Sequence, residues 1–116
     1  MAQQTWQLNS EERWFKELEK GTQKTVEGRL TMPRVQVGDL IEFCWKDRYV
    51  VKQVTFVHGY SCFAEMLDVE GVEKIMPGIN TMAEAAQIFK EWYPLKQQRE
   101  KRVMAFGLAN VTSSAR

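Results

Sequence analysis

Metal-ligating side chains are scarce in this sequence. Its 116 residues include two cysteines, Cys44 and Cys62, and a single histidine, His58. That is too few for a four-ligand zinc site, and one histidine excludes a His-rich centre. No metal and no cofactor are expected. Excess charge is missing as well. Sixteen basic against 15 acidic residues leave +1, which rules out a histone-like or tail-like binder that coats nucleic acid by net charge. No uninterrupted apolar run approaches the ~18 residues of a membrane span, so no membrane association is expected. Met1-Ala2-Gln3-Gln4-Thr5 lacks the basic and apolar regions of a signal peptide, and neither end carries a lipidation signal. The expected location is cytoplasmic, with nuclear as the alternative. There, Cys44 and Cys62, flanked by Phe43, Trp45 and Phe63, read as reduced core thiols rather than a disulfide. A Gly-rich phosphate loop, a Gly-x-Ser-x-Gly elbow, a Cys-x-x-Cys pair and internal repeats are all absent.

What is present is an ordinary globular composition, 44% hydrophobic and 27% charged. A chain of this length buries roughly two-thirds of its unfolded surface, enough for one core. A single monomeric domain is expected, with residues 5–111 as its body and Thr112–Arg116 fraying. Asn9 with Glu12 three residues on suggests a capping box that opens a helix over 10–21, with Gly21 as its stop. Trp14, Phe15 and Leu18 share one face of it, and Glu12 and Lys16 form an i,i+4 pair. Residues 24–30 alternate: Val26, Gly28 and Leu30 face one way, Thr25, Glu27 and Arg29 the other. That is a half-buried strand with a charged row on its outer side. Met32-Pro33-Arg34 breaks it. Gly38-Asp39 leads into a second strand over 40–45, Lys46-Asp47-Arg48 makes a hairpin turn, and β-branched residues over 49–57 form a third strand. Ser61 opens a short helix to about Leu67, with at most one further turn to Lys74. Thr81 and Glu84 make a full capping box for a helix striped by Met82, Ala85, Ala86, Phe89 and Tyr93, which Pro94 ends. The apolar run from Arg102 to Val111 suits a closing central strand. A short strand at Thr5–Leu8 completes an α+β arrangement built on a small barrel.

Three polar features compete for a functional role. Lys24, Thr25, Glu27 and Arg29 put an amine, a carboxylate and a guanidinium within six residues. Arg29 suits a bidentate grip on phosphate, Lys24 a phosphate or oxyanion, and Glu27 a general base. The plain alternative is a solvated strand face with cross-strand ion pairs. Lys96, Arg99, Lys101 and Arg102, opposed only by Glu100, suit contacts to a phosphate backbone, or else form a solvated loop after Pro94. The acidic stretch Glu65, Asp68, Glu70 and Glu73 reads as helix solvation more readily than as a metal site. Tyr60 and Phe63 nearby are stacking candidates or core residues.

The string Gly21-Thr22-Gln23-Lys24-Thr25-Val26-Glu27-Gly28-Arg29-Leu30 resembles the opening signature of the ASCH family, the activating-signal-cointegrator homology domains. Val37-Gly38-Asp39 resembles that family's strand entry. Tyr60-Ser61-Cys62-Phe63-Ala64-Glu65-Met66-Leu67 resembles its next conserved stretch, and Glu70-Gly71 and Pro77-Gly78 follow in order. The resemblance covers residues 5–110. It implies a PUA-like β-barrel with flanking helices and a cleft beside the barrel, lined by the Lys-Thr-x-Glu-x-Arg strand, for RNA. The candidate binding set is then Lys24, Thr25, Glu27, Arg29, Tyr60, Ser61, Glu70, Lys96, Arg99, Lys101 and Arg102. Single-stranded RNA or a nucleotide is the expected ligand, because an exposed base can enter a cleft. Some relatives are hydrolases of N4-acetylcytidine or of RNA. On that alternative Lys24 and Glu27 are the catalytic pair. Glu27 stands where the amidohydrolase pattern has a threonine, and Glu70 or a neighbour would supply its glutamate. A third alternative is a protein-interaction module of the transcription-coactivator kind, presenting Trp6, Trp45 or Trp92 to a protein partner.

Overall fold

The computed structural model describes residues 2–32 and 34–111 and, within them, every side chain except those of Gln98 and Arg99. Along the chain run β1 (Thr5–Asn9), α1 (Glu12–Lys20), β2 (Val26–Leu30), β3 (Leu40–Trp45), β4 (Arg48–Tyr60), α2 (Phe63–Glu70), α3 (Val72–Ile75), α4 (Met82–Trp92), α5 (Leu95–Glu100) and β5 (Val103–Asn110). The strands form one mixed sheet in the order β1-β3-β4-β5-β2, parallel only between β1 and β3. The sheet curls into a half-barrel with flanking helices, the α+β, PUA-like architecture expected from the sequence.

The pairing explains the sequence pattern. β5 has neighbours on both sides, and its side chains feed two cores. Val103 and Ala105 pack with Phe63, Met66, Leu67 and Phe89 under the helices. Met104, Phe106 and Leu108 pack with Leu18, Ile41, Phe43 and Val54 on the other face. A strand covered on both faces needs no polar alternation, hence the continuous apolar run. Burying five phenylalanines almost completely (Phe15, Phe43, Phe63, Phe89 and Phe106) contributes roughly 1.5–3 kcal/mol each before entropy is counted.

Asp39 secures the parallel edge. Its carboxylate accepts the Gln4 and Gln36 backbone N–H groups and the Trp6 indole N–H at 2.9–3.1 Å. Those hydrogen bonds hold its pKa below the usual carboxylate value. Gly38 before it has φ +96°, a left-handed turn that glycine adopts without strain. Close approach explains Gly28: a Cβ there would lie 2.5 Å from Met66 Cε, so β2 meets the helical layer only without a side chain.

Several local expectations hold. Gly21, at φ +71°, stops α1, and Glu12 pairs with Lys16 at 3.0 Å. Thr81 Oγ1 accepts the Glu84 N–H at 3.1 Å and caps α4. Others shift. Asn9 is the last residue of β1 rather than a cap, and α1 begins after Glu11 with no side-chain cap. Parallel pairing with β3 extends that far and takes the residue that would have capped. Cys62, not Ser61, caps α2, its sulfur accepting the Glu65 N–H at 3.4 Å. Cys44 and Cys62 are free and half-buried rather than deep in the core. Met82 is exposed, leaving Ala85 and Phe89 as the buried stripe of α4. The expected loop after Pro94 is helix α5. Thr112–Arg116, expected to fray, lie outside the described residues.

A candidate base-binding cleft at the free edge of β2

β2 is an edge strand. The Leu108 N–H donates to the Thr25 carbonyl at 2.8 Å, so position 25 belongs to the hydrogen-bonded set facing β5. Antiparallel alternation then turns the backbone groups of Val26 and Gly28 to the unpaired edge. A cleft of about 200 Å³ opens there. Lys24, Glu27, Gly28 and Arg29 form its floor. Asn9, Ser10, Glu11 and Trp14 come from the β1–α1 junction, Ile75 and Met76 from the end of α3, and Phe89, Trp92 and Tyr93 from α4.

The floor is a chain of ion pairs. Lys24 Nζ donates to the carbonyls of Val26 (3.0 Å) and Ile75 (2.6 Å) and lies 3.1 Å from Glu27 Oε1. Arg29 Nε donates to Glu27 Oε2 at 2.5 Å, and its Nη2 donates to the Asn9 carbonyl at 2.7 Å. Asn9 ends β1, the other edge strand, so Arg29 bridges the two edges of the curled sheet. Lys24 and Glu27 are 5% and 8% exposed. The charged row is therefore buried, not solvated. The reason is the layer above it: α1, α3 and α4 converge on this edge.

Electrostatics follow from that burial. Burial pushes the Lys24 amine below the ordinary lysine value, with the Glu27 charge offsetting only part of it. Burial pushes the Glu27 carboxyl up, but the charges of Lys24 and Arg29 outweigh it and hold the pKa low. Burial alone would lower Arg29; Glu27 and the hydrogen bond that Arg29 donates to Tyr93 reverse the sign and raise it. All three ammonium protons of Lys24 have acceptors, an arrangement that suits a fixed positive charge better than a free base.

The walls are aromatic. Phe89 stacks on Phe63 at 4.1 Å between centroids and meets Trp92 edge-on at 5.7 Å. Tyr93 lies parallel to Phe63 at 5.4 Å. Trp92 Nε1 donates to Glu11 Oε2 at 2.9 Å, tying the end of α4 to the start of α1. Sequence periodicity assigned Trp14, Phe89 and Tyr93 to a helix's apolar face and left Trp92 as a surface candidate. The signal that they share a cleft is positional. Trp14 lies in the first turn of α1, and Trp92 and Tyr93 at the end of α4, where two helix ends meet one strand edge.

The other candidates lie apart from this cleft. Thr25 does not line it; its backbone N–H donates to the Lys74 carbonyl at 2.9 Å. Tyr60, Ser61 and Glu70 group around α2. The Tyr60 hydroxyl donates to Glu70 Oε2, which also meets His58 Nδ1 at 2.7 Å, and the Ser61 N–H donates to Glu65 Oε1 at 2.8 Å. Burial and the Glu70 hydrogen bond push Tyr60 up to about 12. Lys96, Lys101 and Arg102 are exposed on and after α5, and the side chain of Arg99 lies outside the described residues. The guanidinium of Arg102 covers Gly59, where a Cβ would sit 2.2 Å from its Nε. Trp6, Trp45 and Trp92 have different partners: Asp39 for Trp6, Phe15 for Trp45 and Glu11 for Trp92. Among the described residues no group of three or more His, Cys, Asp or Glu side chains is arranged to hold a metal ion, and no helix is long and apolar enough to cross a membrane.

Solved structures share this fold. The crystal structure of the hypothetical protein PH0355 superposes with a TM-score of 0.84 at 25% identity, covering 92% of this chain and 99% of that one. The solution structure of PF0455 from Pyrococcus furiosus gives 0.72 at 25% identity, over 90% and 96%. A mutant form of ZmASCH from Zymomonas mobilis gives 0.65 at 13% identity over 91% and 69%, a likeness of fold. No curated protein matches the chain. The family model of the ASCH domain matches residues 8–112, a span running from the end of β1 beyond β5 and holding every cleft residue; the chain belongs to the ASCH domain family.

Proposed function

We propose that this protein binds RNA or a nucleotide by taking one base into the cleft at the free edge of β2. The observation that carries the reading is the combination of aromatic walls with a buried Lys24–Glu27–Arg29 floor. A volume of about 200 Å³ is smaller than the ~300–1,000 Å³ of a drug-sized site and suits a single ring system. Every base has a π-face, and stacking it on an aromatic side chain contributes about 1–3 kcal/mol. Trp92, partly exposed beside Phe89, is the side chain available for that stacking. The floor carries two cations against one anion, and the Glu11 carboxylate on the wall balances the charge of the lining. Backbone N–H and C=O groups of Gly28 at the strand edge offer polar contacts to the rim of the ring. Membership of a family that is RNA-binding in general supports the same reading. An unstacked base enters such a cleft from single-stranded RNA and not from a duplex. Lys96, Lys101 and Arg102 would then hold flanking phosphates.

Titrating short single-stranded RNA oligomers at two salt concentrations tests this. Binding should weaken with salt and fall roughly ten-fold in Trp92→Ala, the loss of one stacking partner. Absence of binding at low salt, or full affinity in Trp92→Ala, contradicts it.

The hydrolase reading draws on one observation, the lowering of the Lys24 pKa by burial. It requires Lys24 to leave three acceptors, and its expected glutamate, Glu70, is engaged with His58 and Tyr60. Turnover of N4-acetylcytidine or labelled RNA that disappears in Lys24→Ala would move the function from binding to catalysis.

A further inference from the structure

The cations that line the cleft are committed to it. Lys24 Nζ has acceptors on Val26, Ile75 and Glu27. Arg29 gives Nε to Glu27, Nη2 to the Asn9 carbonyl and a further hydrogen bond to Tyr93. Glu11 on the wall balances the remaining charge. A phosphate attached to a bound base therefore needs a cation from outside the lining. Arg13 supplies one. It lies in the first turn of α1 and is exposed. Its guanidinium rests 4.6 Å from the centroid of the Trp14 ring, and Trp14 is a wall of the cleft. The neighbouring cations all meet carboxylates: Lys16 meets Glu12, Lys20 meets Glu17 and Arg48 meets Glu19. Arg13 has neither an ion pair nor a hydrogen bond among the described residues. Stacking on an indole holds the plane of a guanidinium and leaves its N–H edges free for an anion. The Nη2 side is open for a backbone reason. A Cβ on Gly78 would lie 3.6 Å from Arg13 Nη2, and the φ of +91° there is one that glycine adopts without strain. Met76, two residues before Gly78, lines the cleft as Trp14 does. The guanidinium thus sits where two segments of the wall meet.

We propose that Arg13 holds the phosphate next to the base that enters the cleft, so that the site takes a nucleotide or an RNA residue in preference to a free nucleoside. This rests on the cleft being a base site. It adds the ligand group that the charge-balanced lining does not serve, and the side chain that takes it. The phosphate of a nucleotide stands one sugar away from its base, and Arg13 stands one ring away from the cleft, across Trp14. A stacked guanidinium offers two parallel N–H groups to two phosphate oxygens, a charge-assisted and directional grip that a lysine does not reproduce. Arg13 is solvated, so the grip weakens as salt screens it.

The test is calorimetric titration at low salt with the four common ribonucleosides and with their 5′- and 3′-monophosphates, on the wild-type chain, Arg13→Gln and Arg13→Lys. Each comparison is made within one base, so the identity of the preferred base does not enter. In the wild type one of the two monophosphates should bind about five- to ten-fold more tightly than its nucleoside, the worth of a charge-assisted contact at an exposed site. That ratio should fall to about one in Arg13→Gln and to about two in Arg13→Lys, which keeps the charge and loses the fork. Should the variants not fold, the Nε–H resonance of Arg13 in the wild-type chain gives the answer. It should move with the monophosphates and stay in place with the nucleosides. Equal affinities for nucleoside and monophosphates in the wild type, a ratio that survives in Arg13→Gln, or an Arg13 resonance that ignores the phosphate overturns the role of Arg13 and leaves base binding standing. No binding of any nucleoside or monophosphate overturns both.

Discussion

Two stretches of this chain concentrate cations, and they occupy opposite environments. Lys24 and Arg29 lie on an edge strand under three helices, with every charge held by a named partner. Lys96, Lys101 and Arg102 lie on and after a short polar helix, open to solvent. In sequence the second is the denser cluster. In the structure only the first faces a cleft. The difference shows that cation density predicts little, while a charge taken out of water has to be justified by its surroundings.

That contrast makes its largest prediction for Glu27. Glu27→Ala leaves two buried cations without their shared carboxylate and should cost about 3–5 kcal/mol in urea unfolding. Lys96→Ala should change stability by less than about 0.5 kcal/mol. Similar costs at the two positions would erase the distinction. The same carboxylate predicts a pH effect. The pKa of Glu27 is held low in the folded chain, so its stabilisation is fully present above the ordinary unfolded value of about 4.3 and is lost as pH falls through the lower folded value. Below pH 5 the wild type should therefore lose stability more steeply than Glu27→Gln, as thermal melts across that range would reveal.

A smaller effect sharpens the packing side. Gly28→Val places a branched side chain against Met66 and Phe89 and should cost about 1–3 kcal/mol by overpacking. Smaller still is the cap comparison. Thr81→Ala should cost about 1 kcal/mol, whereas Asn9→Ala should cost no capping energy, since Arg29 meets its carbonyl rather than its side chain. The smallest expected effect concerns the solvated cluster. If Lys96 contacts RNA phosphate, removing it should flatten the logarithmic salt dependence of binding by about 0.7, the value for one contact on a single strand.

Much of the fold was readable from local chemistry. The 24–30 strand, the 40–57 hairpin, the Gly21 stop and the Thr81 cap each follow from residues within a few positions of one another, although β4 runs three residues further, to Tyr60. What escaped was long-range. The use of Asn9 in parallel pairing with β3, in place of a cap, depends on Cys44, 35 residues on. The burial of Lys24 depends on the Ile75 carbonyl, 51 residues away. The aromatic wall depends on α1 and α4 ending at the same place, joined by a Trp92–Glu11 bond that spans 81 residues. Periodicity reports which face of an element is apolar. It cannot report which two elements meet. The site was therefore half-legible: its floor was readable as a motif, and its walls only as helix faces.

The most direct test of the central claim is a two-dimensional NMR titration of the isotope-labelled chain with a short single-stranded RNA. Binding at the edge of β2 predicts that the indole resonances of Trp14 and Trp92 and the Nε–H of Arg29 move first and furthest, with smaller shifts in 96–102. Shifts confined to 96–102 or to the Tyr60–Glu70 region, with the Trp14, Trp92 and Arg29 signals unmoved, would contradict it.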